Sequence, residues 1–259
     1  MSPSGTTQDH QALLEAYLRA LNLPMFLQLY QSYAQDAARS GLSFERFLLA
    51  LCEAEMADRE AKRIESAIRR AKLPFLREIA DYDFTAMENI PKTTFLELAQ
   101  GGYMSRAENL ILVGNPGLGK THLAIGLALS ACRQAKRVRF YKTAALINDL
   151  QVSQKKLTLS GFVARFVKLD LLVLDELGFI AVDKAGAQLL FQLVSDLYEQ
   201  VSMIITSNLR FGDWNSIFAD ATLTTAFLDR LTHKGRIIEF VGESYRYRHR
   251  LQQDEAAGA

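Results

Sequence analysis

One eight-residue stretch limits the folds open to this chain more than any other feature. Residues 114–121 read Gly-Asn-Pro-Gly-Leu-Gly-Lys-Thr, with an apolar run at residues 109–113 before them and a helix-like segment from His122 after them. The glycines let the backbone wrap an anion with its amide groups converging on it, which a Cβ at these positions would hinder. The order of strand, glycine-rich loop and helix therefore predicts a phosphate-binding loop in an α/β sheet.

The same stretch predicts ATP and Mg²⁺ as ligands. Lys120 would place a positive charge beside the β- and γ-phosphates, and the Thr121 hydroxyl would ligate Mg²⁺. The phosphates would then lie at the N-terminus of the helix that begins near Gly119. The predicted nucleotide-binding residues of this stretch are Gly114, Asn115, Pro116, Gly117, Leu118, Gly119, Lys120, Thr121 and His122.

Short apolar runs along the chain predict the strands of that sheet. They lie at residues 110–113, 138–141, 171–174, 203–206 and 237–241. The first four are near-continuous, as expected of parallel strands that are buried on both faces. Helical stretches separate them, so we predict βαβ units that form a parallel sheet.

The chain before this sheet has an all-helical pattern. We expect a first helix that ends at the break around Pro24, and a second from about Pro24 to Ala38. A long third helix should open at Ser43 and end before Pro74, because proline disfavours helical geometry in the residue before it.

These patterns divide the chain into three parts. Residues 1–72 are expected to form a helical N-terminal domain, and residues 73–108 a linker and lead-in. Within that linker, irregular structure is expected at residues 81–84 and 90–91. Residues 109–259 are expected to form the ATPase domain.

Composition excludes several classes of protein. The chain is 49% hydrophobic and 23% charged, which does not suit a globally disordered protein. We see no run of ~20 apolar residues and no signal-peptide pattern at the N-terminus. The two cysteines, Cys52 and Cys132, are interpreted as small buried side chains, so a disulfide framework is not expected. A cytoplasmic location is the resulting expectation.

Polar residues follow two of the predicted strands. Asp175 and Glu176 end the apolar run at residues 171–174. Asp175 is expected to hold Mg²⁺ through its water shell or through Thr121, and Glu176 to orient and polarise the attacking water. Asn208 follows the next run, at the edge where open α/β sheets bind ligands. Such an asparagine is also typical of a turn, but beside the other two motifs we favour contact with the γ-phosphate or the water.

Arg230 lies on a predicted helix before the last strand. An arginine that reaches the γ-phosphate of a neighbouring subunit stabilises the charge of the transition state. The same side chain could instead form a surface salt bridge with Asp229 or near Asp220. Spacing alone leaves both interpretations open.

Charge is strongly segregated along the chain although the net charge is only +1. Nine basic residues and one acid, Asp149, lie between Arg133 and Lys168. Such segregation is typical of a nucleic-acid face or a complementary subunit contact. Lys155 and Lys156 are the favoured candidates for DNA contacts, because no core role is evident for them. Arg69, Arg70 and Lys72 form a second candidate patch, or a solvated helix face.

Several motifs together resemble one known family. They are residues 114–124, 172–178, 205–208, 228–231 and 242–246, with residues 44–49, 53–56 and 71–74 in the helical part. These look like the AAA+ ATPases of the IstB type, which are helper proteins of insertion-sequence transposition. The family is related to the DnaC-type helicase loaders.

The resemblance implies a role for individual residues and partners. Asn208 would be the sensor 1 residue, Arg230 an arginine finger that acts across a subunit interface, and Arg246 a sensor 2 type arginine. The fold would be an AAA+ P-loop NTPase. The implied partners are duplex DNA bound without sequence specificity, further copies of the chain in an ATP-dependent oligomer, and a transposase.

Three other functions are alternatives to this prediction. A replicative-helicase loader would have the same ATPase core, but its N-terminal domain would bind a helicase instead of a transposase. A small-molecule kinase leaves Glu176 and Arg230 without a role and lacks a recognisable acceptor-binding lid. A structural clamp that barely hydrolyses ATP is disfavoured by Glu176, since that carboxylate suits activation of water.

Overall fold

The chain divides into two compact units, which are described separately. The computed structural model describes residues 4–86, 91–179, 182–218 and 220–242. The first unit is Met1–Glu65 and the second is Ser66–Ala259.

The first unit is helical, as predicted. It contains α1 (Ser4–Ala20), α2 (Pro24–Ser40) and most of α3 (Phe44–Ala71). Gly41 ends α2 in the left-handed conformation, with φ of 61°, and donates its amide to the Ala37 carbonyl.

A buried carboxylate joins the turn between α1 and α2 to α3. Glu55 is 4% exposed and accepts a hydrogen bond of 2.9 Å from the Met25 amide. Arg59 pairs with Glu55 at 2.8 Å and donates to the Asn22 carbonyl at 2.7 Å. The Glu55 charge also lies at the N-terminus of α2, where the helix dipole favours it.

The prediction that both cysteines are buried was wrong for Cys52. Cys132 is fully buried, but Cys52 is exposed. Its neighbour on α3, Leu51, is 2% exposed. Successive residues of a helix point about 100° apart, so the face that buries Leu51 directs Cys52 to solvent.

The second unit contains the predicted five-stranded parallel sheet. Its strands are β1 (Asn109–Gly114), β2 (Val138–Lys142), β3 (Leu171–Leu177), β4 (Ser202–Ser207) and β5 (Gly235–Phe240). Their order is β2-β3-β4-β1-β5, and every neighbouring pair is parallel. The carboxyl ends of all five strands therefore meet at one edge, called the carboxyl edge below, and their first residues form the amino edge.

Helices cover both faces of the sheet. They are α4 (Lys92–Ala99), α5 (Gly102–Ser105), α6 (Lys120–Arg133), α7 (Thr143–Lys155), α8 (Leu159–Val163), α9 (Lys184–Leu197), α10 (Asn215–Phe218) and α11 (Ala221–Thr232). Leu110 and Leu112 of β1 belong to an apolar cluster with α6, whereas Ile111 and Val113 belong to one with α7 and α9. Burial on both faces explains why the strands are continuous apolar runs. No helix in the described ranges has the length and apolar composition needed to cross a bilayer.

Part of the predicted linker is more regular than expected. Of the residues predicted to be irregular, Asp81 and Phe84 belong to two 3₁₀ turns, Ile79–Asp81 and Phe84–Ala86, whereas Tyr82 and Asp83 lie between these turns as predicted. Ile79 is buried against the apolar cluster of α6, and the Glu78 amide donates to the Asp81 carboxylate. Single turns leave no periodicity in a sequence, so this correction was not visible from the pattern. Of the second expected stretch, residue 90 lies outside the described residues.

Candidate functional site

The glycine-rich loop connects β1 to α6 at the carboxyl edge. Gly114, Gly117 and Gly119 all have positive φ angles, of 143°, 84° and 79°. A Cβ on Gly114 would lie 2.3 Å from the Phe240 carbonyl oxygen, and one on Gly119 would lie 2.3 Å from the Tyr82 ring. Glycine is therefore required at both positions for backbone angle and for space.

Lys120 is held inside this loop. Its Nζ donates to the carbonyl oxygens of Gly114 at 2.7 Å and of Asn115 at 2.8 Å, and the residue is 6% exposed. It is also the first residue of α6, a helix of 14 residues. The lysine charge and the free amides at the helix N-terminus together favour an anion at this position.

Asp175 forms the centre of a buried polar network. Its Oδ1 accepts hydrogen bonds of 2.7 Å from the hydroxyls of Thr121 and Thr206, and the residue is 1% exposed. Burial raises the pKa of Asp175, and the two threonine hydrogen bonds oppose this shift. These hydrogen bonds hold the Asp175 carboxylate beside the Thr121 hydroxyl.

Thr206 in β4 and Thr143 at the start of α7 also belong to this network, although the sequence did not suggest either residue. The Thr206 hydroxyl also accepts the Glu176 amide at 2.9 Å, and Thr143 donates to the Asp175 carbonyl at 2.9 Å. Threonine is common in strands, so its presence in an apolar run gives no signal of its own. The one sequence feature that pointed to Thr206 is its position two residues before Asn208, which is a candidate site residue.

Glu176 leaves the strand ladder and points to a lysine. Its φ is 59°, and the register between β3 and β4 shifts between Leu174 and Leu177. The Glu176 carboxylate pairs with the Lys142 ammonium at 3.0 Å, and this hydrogen bond raises the pKa of Lys142. Lys142, one of the nine basic residues between Arg133 and Lys168, therefore lies beside Glu176 at the carboxyl edge.

One cavity of about 800 Å³ brings the predicted groups together, a size typical of small-molecule sites. Its lining includes residues 116–121, His122, Asp175, Glu176 and Asn208. Thr206, Tyr82, Lys142 and Phe75, which the sequence did not suggest, also line it. The three candidate motifs thus meet at the carboxyl edge, while their chemical roles stay predictions.

Tyr82 fixes the loop from outside. Its hydroxyl donates to the Leu118 carbonyl at 2.6 Å, and its ring lies 5.5 Å from that of His122. The His122 Nε2 is 2.9 Å from the Glu78 carbonyl oxygen. His122 is therefore tied to the segment before β1, while still lining the cavity.

Arg230 lies at the amino edge, away from this cavity. It belongs to the last turn of α11, and the next residue, Leu231, accepts a hydrogen bond of 3.1 Å from Asn109, the first residue of β1. The glycine loop follows the other end of β1, which at about 3.3 Å per residue is roughly 17 Å away. An arginine side chain does not span that distance, so Arg230 cannot serve the loop of its own chain.

The salt bridges proposed as the alternative for Arg230 are absent among the described residues. Its guanidinium donates to the Ala226 carbonyl at 2.9 Å and lies 4.7 Å from the Phe191 ring centroid. Asp220 instead caps the N-terminus of α11 by accepting the Leu223 amide. Arg246 lies outside the described residues.

The basic stretch separates into paired and unpaired residues. Arg133 pairs with Glu78, Arg137 with Asp170, and Lys142 with Glu176. Arg139 stacks on Tyr141 and donates to the Arg70 carbonyl. Four exposed residues form no ion pair in the part of the chain that the structure describes: Lys155, Lys156, Arg165 and Lys168.

Comparison with known proteins places this site in a family. The sequence model of the IstB-like ATP binding protein family matches residues 16–253. A protein of insertion sequence IS5376 from Geobacillus stearothermophilus, named for ATP binding, is 35% identical over 242 residues, or 93% of this chain and 96% of the relative. A protein of insertion sequence IS21 from Pseudomonas aeruginosa, also named for ATP binding, is 35% identical over 245 residues, or 95% and 91%.

Solved structures show a similar fold at lower identity. The DnaC helicase loader matches with a TM-score of 0.54 and 20% identity over 63% of this chain and 96% of its own. AMPPCP-bound DnaA from Aquifex aeolicus matches with a TM-score of 0.56 and 19% identity over 70% and 56%. These two likenesses concern the AAA+ fold alone. The sequence matches show that this chain belongs to the family of IstB-like ATP binding proteins.

Proposed function

We propose that this protein is an ATP-hydrolysing helper of insertion-sequence transposition that assembles on duplex DNA and acts on a partner transposase. The observation that carries the proposal is the cavity where the glycine loop, Asp175, Glu176 and Asn208 meet. Relatives named for ATP binding in insertion sequences support the setting. A cytoplasmic location is part of the same proposal, since transposition acts on chromosomal DNA.

ATP is the nucleotide that this cavity is proposed to bind. The loop amides and the N-terminus of α6 would hold its phosphates, and Lys120 would neutralise their charge. Glycine at positions 114 and 119 lets the loop pack closely against Phe240 and Tyr82, which supports a loop shape with its amides turned toward the phosphates.

Mg²⁺ is proposed to bind beside Thr121 and Asp175. Both residues offer oxygen atoms, which Mg²⁺ prefers, and they already contact each other at 2.7 Å. Among the described residues no group of three or more His, Cys, Asp or Glu side chains is suited to a metal. Such a sparse protein donor set is typical of Mg²⁺ shared with substrate phosphates, where the ion neutralises developing negative charge.

Hydrolysis would require Glu176 and a second chain. Glu176 is proposed to accept a proton from the attacking water, and Asn208 to orient that water or the γ-phosphate. The ion pair with Lys142 competes with the first role, because the ammonium occupies the carboxylate that would contact the water. Arg230 is proposed to stabilise the transition state of a neighbouring chain, since its own loop is out of reach.

DNA and the transposase are proposed to bind different parts of the protein. The four unpaired basic residues near α7 and α8 suit phosphate contacts that do not depend on sequence. The helical residues 1–72 are proposed as the transposase-binding domain, with residues 109–259 as the ATPase domain. The likeness to DnaC is one of fold at 20% identity and does not favour helicase loading over transposition.

Two substitutions in the cavity test this function. Lys120→Ala should lose ATP binding and ATP-dependent assembly on DNA, because it removes the charge that pairs with the phosphates. Glu176→Gln should keep ATP affinity but stall turnover, so that a DNA-bound assembly persists. Isothermal titration with ATP, phosphate release and sedimentation with duplex DNA measure these three quantities.

Lys136→Ala, just before β2 at the amino edge, is the matched lysine control and should leave ATP affinity unchanged. With a purified transposase, strand transfer into target DNA should rise with the unsubstituted protein and fail to rise with Lys120→Ala. Wild-type ATP affinity for Lys120→Ala would refute the nucleotide site.

A further inference from the structure

The turn between α7 and α8 presents one large apolar side chain to solvent. Leu157 is 92% exposed and follows directly on Lys155 and Lys156. The residues around it, from Gln154 to Thr158, are exposed as well. Single exposed apolar residues are common on protein surfaces, so the exposure of Leu157 gains meaning only together with its backbone and its charged neighbours.

The backbone at this leucine is one that glycine would adopt more easily. Leu157 has φ of 57°, and the Thr158 amide donates to the Ser153 carbonyl at 2.9 Å, which closes the end of α7. The left-handed residue in such a helix ending is usually glycine. Other described residues with positive φ, glycine aside, are smaller or polar: Asn22, Lys72, Ala107, Ala135, Glu176 and Glu199. Leu157 thus combines an unfavourable backbone with an unfavourable exposure, which points to a function.

Between Gln151 and Leu169 all the charged side chains are basic. Lys155 and Lys156 precede it, and Arg165 and Lys168 follow α8, which packs against α7. Within the part of the chain that the structure describes, none of these four basic residues forms an ion pair. Lysines at the end of α7 also offset the helix dipole, but that role does not explain the leucine beside them.

We propose that Leu157 enters the minor groove of duplex DNA as a wedge and partly unstacks one base step. This inference rests on the DNA binding proposed above and names the contact that distorts the DNA. Leucine is among the side chains that proteins insert between base steps, and the lysines would hold the phosphates on either side. A protein partner fits less well, because protein contacts usually centre on a larger apolar patch than one leucine.

A wedge makes affinity depend on how easily the DNA deforms. Flexible steps such as TA and CA/TG kink readily, so the protein should prefer them mildly although it reads no base edge. A duplex with a central mismatch is already partly unstacked, and the unsubstituted protein should bind it about tenfold more tightly than the matched duplex. The lysines should contribute equally on both duplexes, since they contact only phosphates.

Leu157→Gly separates the wedge from the charges. It removes the side chain and suits the positive φ, so loss of folding would not explain a loss of DNA distortion. With ATP present, fluorescence anisotropy gives the affinities for matched and mismatched duplexes, and 2-aminopurine emission reports unstacking. We expect the tenfold preference to fall to about one- to twofold and the 2-aminopurine signal to vanish. Val152→Ala, an exposed apolar residue on α7, is the control and should change neither.

The double variant Lys155→Ala, Lys156→Ala tests DNA binding itself. It should weaken binding about equally on both duplexes and flatten the salt dependence by about one to two units of log affinity per log salt, while keeping the mismatch preference. If the unsubstituted protein binds no DNA with ATP, the proposed function fails together with the wedge. If it binds DNA and Leu157→Gly keeps the preference and the 2-aminopurine signal, the wedge alone is refuted. The wedge would also be refuted if Leu157→Gly lost ATP-dependent self-assembly in the absence of DNA. That result would assign Leu157 to a contact between protein chains.

Discussion

The two edges of the sheet differ in how their candidate functional side chains are paired, although other charges at the amino edge, such as Arg137, also form ion pairs. At the carboxyl edge, Lys120, Asp175 and Glu176 each have partners at 2.7–3.0 Å. At the amino edge, Arg230 forms no ion pair with a described residue, and Lys155 and Lys156 likewise extend into solvent. Contacts within the chain thus hold the carboxyl-edge groups in place, whereas Arg230, Lys155 and Lys156 are the candidates for contacts with another macromolecule.

The largest effect that separates the edges is expected at Arg230. If Arg230 acts as an arginine finger, Arg230→Ala should lower turnover by ~10³-fold or more while ATP affinity stays near normal. Its own loop is too distant to be affected, since β1 lies between them. Phosphate release and ATP titration, on protein at concentrations that support assembly, give the two quantities.

Mixing distinguishes an action on a neighbour from a structural role. Arg230→Ala and Lys120→Ala proteins, each inactive alone, should recover part of the turnover together, because some interfaces pair an intact arginine with an intact loop. Phe191→Leu is the control, since it removes the ring under the guanidinium and keeps the charge. If the two variants co-assemble but turnover does not recover, Arg230 has only a packing role.

A smaller effect should appear at the ion pair of Lys142 with Glu176. Lys142→Met frees the carboxylate, so turnover without DNA should rise. Both side chains are substantially exposed, at 58% and 38%, and such pairs are worth little. The rise should therefore be at most about fivefold, as expected from an exposed pair.

Strand β2 offers a matched control for this prediction. Arg137 lies just before its other end and pairs with Asp170 at 3.1 Å, with similar exposure. Arg137→Met breaks an ion pair at the amino edge and should leave turnover unchanged. A fall in turnover for Lys142→Met would show that the lysine assists hydrolysis instead of restraining Glu176.

The sequence predicted the carboxyl edge well because its constraints are local. The loop glycines, the apolar strands and the two carboxylates after β3 lie within short stretches whose spacing is fixed by chemistry. Because both faces of the sheet are buried, the strands could be predicted as continuous apolar runs. The five-stranded parallel sheet was confirmed, with helices on both of its faces.

Contacts between distant residues could not be predicted in the same way. Lys142 meets Glu176 across 34 positions because β2 and β3 pair in one register, which places Lys142 opposite Asp175. Tyr82 lies in a segment without periodicity, yet it contacts the loop 36 residues later. Cys52 gave the opposite error, since a helical pattern alone does not tell which face of α3 is buried.

The last predicted effect compares one hydroxyl at each edge. Tyr82→Phe keeps the ring over Gly119 and deletes the hydrogen bond to the Leu118 carbonyl, whereas Tyr198→Phe deletes one to His233 at the end of α9. A neutral hydrogen bond contributes about 0.5–1.5 kcal/mol, so each variant should lower the free energy of unfolding by a similar amount. Only Tyr82→Phe should weaken ATP binding, by about three- to tenfold, because the Leu118 peptide belongs to the phosphate loop. Thermal unfolding and ATP titration on both variants separate the two effects. Equal ATP affinities would mean that the loop keeps its shape without Tyr82, and that the segment before β1 contributes to stability alone.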